Sequence, residues 1–178
     1  MAVDVPVAET VAETVERLAA ALCARSAMLA TVESCTGGLV AAACTSLAGS
    51  SLWFERGIVS YSNAAKTGLL GVSADLIAAH GAVSAEVARA MAEGVLRASP
   101  ARFAVAVTGV AGPGGGTAAK PVGTVWLAVC ERGGTATATL LQARGDRATI
   151  RGRAVARVLE LALDAVLDTA APVAERPR

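Results

Sequence analysis

A three-layer α/β/α sandwich with a mixed sheet is what this sequence predicts, on three observations. Short apolar runs bounded by polar or glycine signals alternate with stretches of helical periodicity, the pattern of strands that cross over through helices. Two β-rich runs then follow one another around Gly133-Gly134, so part of the sheet is antiparallel. One long amphipathic segment closes the pattern, and 178 residues suffice for a single substantial core. A single domain over 1–168 is expected, with 169–178 as a disordered tail.

The first helix is expected over about 7–25, where Val7, Val11, Val15, Leu18 and Leu22 recur at helical spacing with Glu9, Glu13, Glu16 and Arg17 between them. Thr10 and Glu13 would make a capping box only if that helix began late; they are read here as part of its solvated face. Met28 to Val32 reads as a short buried strand, followed by small and polar residues and an alanine-rich helix running to about Leu47. Trp53 and Phe54 read as core packing at that helix end. Glu55-Arg56-Gly57 reads as a turn into a second strand, Ile58 to Tyr61, which runs into a helix at Asn63.

Ser73 caps a short helix ending at His80-Gly81, with His80 placed against the last carbonyls. Ser84 caps a longer helix over about 85–98, and Arg102 to Val107 is a third, buried strand. The antiparallel pair is expected over 122–131 and 135–142, the second strand showing threonines to solvent near an edge. Asp146 caps the final helix, about 147–168.

Composition narrows the function. Lys+Arg number 16 against 15 Asp+Glu, a net charge of +1, and aromatics are 3% of residues. Neither a general attraction to nucleic acid nor stacking platforms for single strands are available. No apolar run approaches the roughly 18 residues that cross a bilayer, and the start lacks a basic-then-apolar signal, so a cytoplasmic protein without membrane contact is expected. The four cysteines, Cys23, Cys35, Cys44 and Cys130, form no C-x-x-C pair, and His80 is the one histidine. No metal site, disulfide framework or cofactor is expected, and a Ser-His-Asp triad has no histidine to spare.

Three clusters fall at the carboxyl ends of expected strands, where sheets of this kind bind ligands. In the first, Ser34-Cys35-Thr36-Gly37-Gly38 offers two hydroxyls, a thiol and a close backbone at a helix N-terminus. It reads either as an N-cap by Ser34 or Thr36 with a glycine turn, or as a site for an anion or a developing oxyanion. In the second, Tyr61 ends a strand, and Asn63 and Lys66 share one face of the next helix near its start. Helix dipole and burial would both depress the Lys66 pKa and make it a general base; a solvated surface lysine is the plain alternative. The third is the glycine loop Thr108-Gly109-Val110-Ala111-Gly112-Pro113-Gly114-Gly115-Gly116-Thr117, running on to Lys120. It matches neither a Walker A loop nor a dinucleotide fingerprint. Either it is a flexible hairpin, or its backbone approaches a ligand whose phosphate Lys120 meets. Arg147 and Arg151, four apart at the start of the last helix, would pair with carboxylates or grip a phosphate.

Taken together, Glu33-Ser34-Cys35-Thr36-Gly37-Gly38, Ser51-Leu52-Trp53-Phe54-Glu55-Arg56-Gly57, Tyr61-Ser62-Asn63-Ala64-Ala65-Lys66, Gly81-Ala82-Val83-Ser84, Thr108-Gly109-Val110-Ala111-Gly112-Pro113 and Lys120-Pro121-Val122-Gly123-Thr124-Val125-Trp126, with Gly145-Asp146-Arg147, resemble the CinA C-terminal domain family. Larger members carry a further N-terminal domain, and the resemblance is to the stand-alone form. It implies deamidation of nicotinamide mononucleotide to nicotinic acid mononucleotide and ammonia, with Ser34 and Lys66 as the catalytic pair and Tyr61 beside them. On that basis Lys66 takes the Ser34 proton, Tyr61 relays or orients it, and N–H groups from Thr36 to Gly38 hold the oxyanion. Asn63, Thr108, Gly109 and Gly112 would bind the substrate, and Lys120 or Arg147 would neutralise its phosphate. Cys35 is the rival nucleophile. The resemblance also implies a homodimer; two other classes stay open, a regulatory, protein-binding domain of the competence or DNA-damage type without amidase activity, and an amidase acting on some other small phosphorylated amide.

Overall fold

The computed structural model describes residues 9–169. Helix α1 (Val11–Cys23) begins late, and the Thr10–Glu13 capping box does form: Glu13 N–H donates to Thr10 Oγ1, and Thr10 N–H to Glu13 Oε2 at 2.8 Å. The acidic group at N3 thus closes the helix start rather than decorating a solvated face. Strand β1 (Leu29–Glu33) leads to α2 (Leu39–Thr45), and a 3-10 turn at Ser50–Leu52 precedes β2 (Phe54–Val59). Residues 55–57, expected as a turn, are therefore strand: Ala30, Thr31 and Val32 pair with Arg56, Gly57 and Ile58. Trp53 is buried at this junction, its ring edge-on to Phe54 at 6.1 Å.

Helices α3 (Asn63–Leu70), α4 (Ala74–His80) and α5 (Ala85–Arg97) follow, each with a serine N-cap: Ser62, Ser73 and Ser84. Strands β3 (Phe103–Gly109), β4 (Thr124–Glu131) and β5 (Thr137–Gln142) precede α6 (Arg147–Asp168), which Asp146 caps. The expected tail begins at Thr169, whose hydroxyl lies 2.9 Å from Ala165 O and 3.1 Å from Glu131 Oε2, two acceptors for its one proton; 170–178 lie outside the described residues, as does Val7. Among the described residues no helix is long and apolar enough to cross a membrane.

The sheet order is β2-β1-β3-β4-β5, the first three strands parallel and the last two antiparallel. Alternation along β3 sorts the two cores. Phe103, Val105 and Val107 face α1, α2 and α6, whereas Ala104 and Ala106 face α3, α4 and α5. These are the three layers. The chain leaves β1 toward one face through α2 and leaves β2 toward the other through α3, so the loops diverge and open a crevice at the carboxyl edge.

Candidate active site

Register brings the site together. Glu33 pairs with both Val59 and Val107, so the next residues of β1 and β2 lie side by side at the carboxyl edge. One further rung on each side fixes them: Ser34 N–H donates to Val107 O at 2.9 Å, and Ser60 N–H to Glu33 O at 2.8 Å. Helix α3 then turns back over this edge and carries Lys66 inward. Its side chain is 1% exposed, and Nζ lies 3.2 Å from Ser34 Oγ, 2.7 Å from Ser60 O and 3.4 Å from Tyr61 O. Burial pulls the amine below the usual lysine range, with the neighbouring Cys35 opposing weakly. Its three polar neighbours are two carbonyls and the serine hydroxyl; an unprotonated amine would give its two N–H groups to the carbonyls and turn its lone pair to the hydroxyl.

The helix start after β1 differs from both readings of its cap. Gly38, at φ 99°, is the N-cap residue, and neither Ser34 nor Thr36 caps α2. The acceptor is Glu33, 1% exposed, whose carboxylate takes N–H groups from Gly38 and Val40 (3.0 Å each) and Ala41 (2.9 Å). A carboxylate already occupies this helix N-terminus, where an external anion would otherwise be held. An acidic residue at a strand end, just before a helix start lacking a side-chain cap, was the available signal for it.

Two of the three expected oxyanion donors are thereby committed: Gly38 N–H to Glu33, and Gly37 N–H to Ser34 O at 3.1 Å, which closes a tight turn. The amides inside that turn, of Cys35 and Thr36, donate to no backbone carbonyl among the described residues. These are the donors free to meet a developing oxyanion beside Ser34. The Thr36 side chain is fully buried with Oγ1 unpartnered, so what the residue offers is main chain.

Ser34 and Cys35 open into a cleft of about 270 Å³, walled by Tyr61, Gly109 to Gly112, Gly114, Gly115 and Arg147. The glycine loop is a hairpin connection, closed at its base by Val110 N–H to Thr124 O (2.9 Å), and it is also a cleft wall. Gly109 is required by close approach, since a Cβ there would lie 2.8 Å from Thr124 O. Arg147 donates to Gly112 O at 2.8 Å and to the Tyr61 hydroxyl at 3.4 Å.

Other expected contacts lie elsewhere. The Tyr61 side chain is 61% exposed and hydrogen-bonds neither Ser34 nor Lys66, so its carbonyl, not its phenol, is what reaches the lysine. Thr108 is buried and donates to Ala82 O at 2.8 Å. Lys120 donates to His80 O at 2.7 Å, so it, rather than the imidazole, satisfies the end of α4. The His80 ring instead stands 3.7 Å from Glu86. Asn63 is exposed and lines a separate apolar groove between α3 and α4 with Thr67 and Ile77. Cys35 is held protonated at neutral pH, its thiol pushed up to about 11 by burial.

A buried lysine meeting a serine, above a turn with two free amides, defines a serine–lysine site at the carboxyl edge of a three-layer α/β/α sandwich. The chain belongs to the CinA C-terminal domain family, whose model matches residues 11–166. It is 53% identical over 146 residues to a CinA-like protein of Mycolicibacterium gilvum, covering 82% of this chain and 34% of that one. It is 50% identical over 146 residues to the nicotinamide-nucleotide amidohydrolase PncC of Enterobacter agglomerans, covering 82% of this chain and 89% of that one. Among solved structures, the competence/damage inducible protein CihA from Agrobacterium tumefaciens superposes with a TM-score of 0.86 at 42% identity, over 92% of this chain and 100% of that one. The chain thus spans about a third of the first relative and about nine-tenths of the second.

Proposed function

We propose that the protein is an amidohydrolase that deamidates nicotinamide mononucleotide, with Ser34 as nucleophile and Lys66 as general base. The observation that carries this reading is the 3.2 Å approach of Lys66 Nζ to Ser34 Oγ. The name and near-complete coverage of the amidohydrolase relative support the substrate. Neutral Lys66 takes the hydroxyl proton as Ser34 Oγ attacks the carboxamide carbon. The amides of Cys35 and Thr36 receive the oxyanion, donors typically worth about 3 kcal/mol each. On collapse the C–N bond breaks, and the leaving nitrogen takes its proton from Lys66 and departs as ammonia. Water then attacks the acyl ester with Lys66 again as base, releasing nicotinic acid mononucleotide and restoring Ser34. Arg147, at the cleft wall, meets the phosphate. The same reading carries a cytoplasmic homodimer acting without cofactor, nucleic acid or membrane.

Ammonia release from nicotinamide mononucleotide, with nicotinamide and glutamine as controls, is the test. Ser34→Ala and Lys66→Ala should each lose about a thousandfold or more in kcat. Cys35→Ala should stay within about threefold, because a protonated thiol contributes no nucleophile. Full activity in Ser34→Ala removes the reading.

A further inference from the structure

The turn that carries Ser34 is braced from outside by a residue the reaction scheme above does not use. Arg151, near the start of α6, donates from Nη2 to Thr36 O at 2.7 Å, across 115 positions of sequence. That is its one hydrogen bond among the described residues, where it also pairs with no carboxylate, and its Nε is buried without an acceptor. A buried donor left unpaired is a standing cost, found where a group is held for another purpose.

The anchors of the turn explain what that purpose is. Its first residue is pinned by the bond from Ser34 N–H to Val107 O, and its end by Gly37 N–H to Ser34 O and Gly38 N–H to Glu33. The Thr36–Gly37 peptide between them has its carbonyl held by Arg151 and otherwise only by a long 3.4 Å bond from Leu39 N–H. Gly37 takes a φ of 60°, which side chains rarely adopt, and the guanidinium lies against it at ordinary contact distance, 3.5 Å from where a Cβ would stand. Arg151 also acts electrostatically on the turn, its charge opposing the burial that raises the Cys35 thiol.

The geometry points to Arg151 as a positioning residue: by fixing the Thr36 carbonyl it locks the Thr36–Gly37 peptide that closes the turn, and so holds in place the turn whose Cys35 and Thr36 amides meet the oxyanion, without touching the substrate. This rests on the hydrolytic reading of Ser34. Preorganised donors act through their placement, and a misplacement of about 1 Å can cost on the order of a hundredfold in rate.

Arg151→Gln and Arg151→Lys are compared with wild type in two assays: steady-state deamidation of nicotinamide mononucleotide, and the rate at which a fluorophosphonate labels Ser34. Arg151→Gln should lower kcat by about a hundredfold with KM within about threefold, and slow labelling in parallel. Arg151→Lys, keeping the charge and one donor, should recover about tenfold of that loss in both assays. Wild-type kcat and labelling rate in Arg151→Gln overturn the inference, as does a raised KM with kcat intact, which would make Arg151 a substrate contact. Should Arg151→Gln fail to fold, Arg151→Lys decides by the same two rates. Wild-type protein that labels but leaves the nucleotide untouched sinks the substrate reading alone, while the labelling ratio still judges Arg151. A wild-type Ser34 that refuses the probe overturns both.

Discussion

Burying Lys66 has a thermodynamic cost that its reactivity needs. Its folded pKa lies below the ordinary 10.5, so the unfolded chain binds more protons than the folded one between those two values. Stability contributed at this position therefore rises with pH across that window and is lowest beneath it. Lys66→Met should abolish ammonia release yet raise the unfolding free energy at pH 7 by about 1 kcal/mol, roughly 2–4 °C in Tm for a chain of this size. That gain should fade as the pH approaches 10.5, and thermal melts at pH 7 and pH 10 check it. On the proposed mechanism, wild-type kcat/KM should fall as pH drops through the depressed lysine value, because a lysine base must be unprotonated to accept the serine proton. The sequence already singled out Ser34, Lys66 and Arg147, since each sits at a strand end or helix start where backbone and side chain converge. It could not tell a buried lysine from a solvated one, because that depends on α3 carrying the side chain onto the ends of β1 and β2, where Ser34 lies 32 positions away in sequence. The bonds that Thr108 and Lys120 make were out of reach of the sequence for a related reason. Each satisfies a carbonyl, at Ala82 and at His80, on an element far away in sequence.

At the scale of elements, α2 is capped by the strand that precedes it. Glu33 points back from the end of β1, and its two oxygens accept three amides from the first turn of α2. An amide side chain would present an N–H to at least one of those donors. Glu33→Gln is thus expected to cost about 2 kcal/mol, and to lower Tm by roughly 4–8 °C, on the scale of hydrogen bonds to charged groups. An unchanged melting curve would show that the cap contributes little. Most elements were legible from periodicity and from local caps: Ser73, Ser84 and Asp146 cap the helices that the sequence starts with them, while Ser62 caps the helix expected at Asn63 without having been read as its cap. The misread boundaries share one cause. Residues 55–57 look like a turn by composition, but pairing with β1 extends the strand through them, and Glu33 acts across a loop rather than three residues ahead.

For the molecule as a whole, a net charge of +1 gives no long-range pull on an anionic nucleotide, so any attraction must be local to the cleft. The proposed function gives that role to Arg147: both its hydrogen bonds go to neutral oxygens, on Gly112 and Tyr61, and no carboxylate among the described residues pairs with it. The sheet topology makes this possible by opening its crevice where the loops after β1 and β2 part, with the start of α6 brought to the same edge. An exposed cation of this kind is screened by salt, the Debye length falling from about 30 Å at 0.01 M to about 3 Å at 1 M. On the proposed mechanism the KM for nicotinamide mononucleotide should therefore rise several-fold over that range while kcat stays nearly level, because the charge that salt screens binds the phosphate and takes no part in the Ser34 and Lys66 chemistry. Arg147→Gln should raise KM about tenfold at low salt, the worth of one charge-assisted contact, and flatten the salt dependence. Initial rates across a salt series for both proteins measure this directly. A variant with the same salt slope as wild type would mean that the phosphate is held by some other group, and that Arg147 serves only to tie the glycine loop to Tyr61.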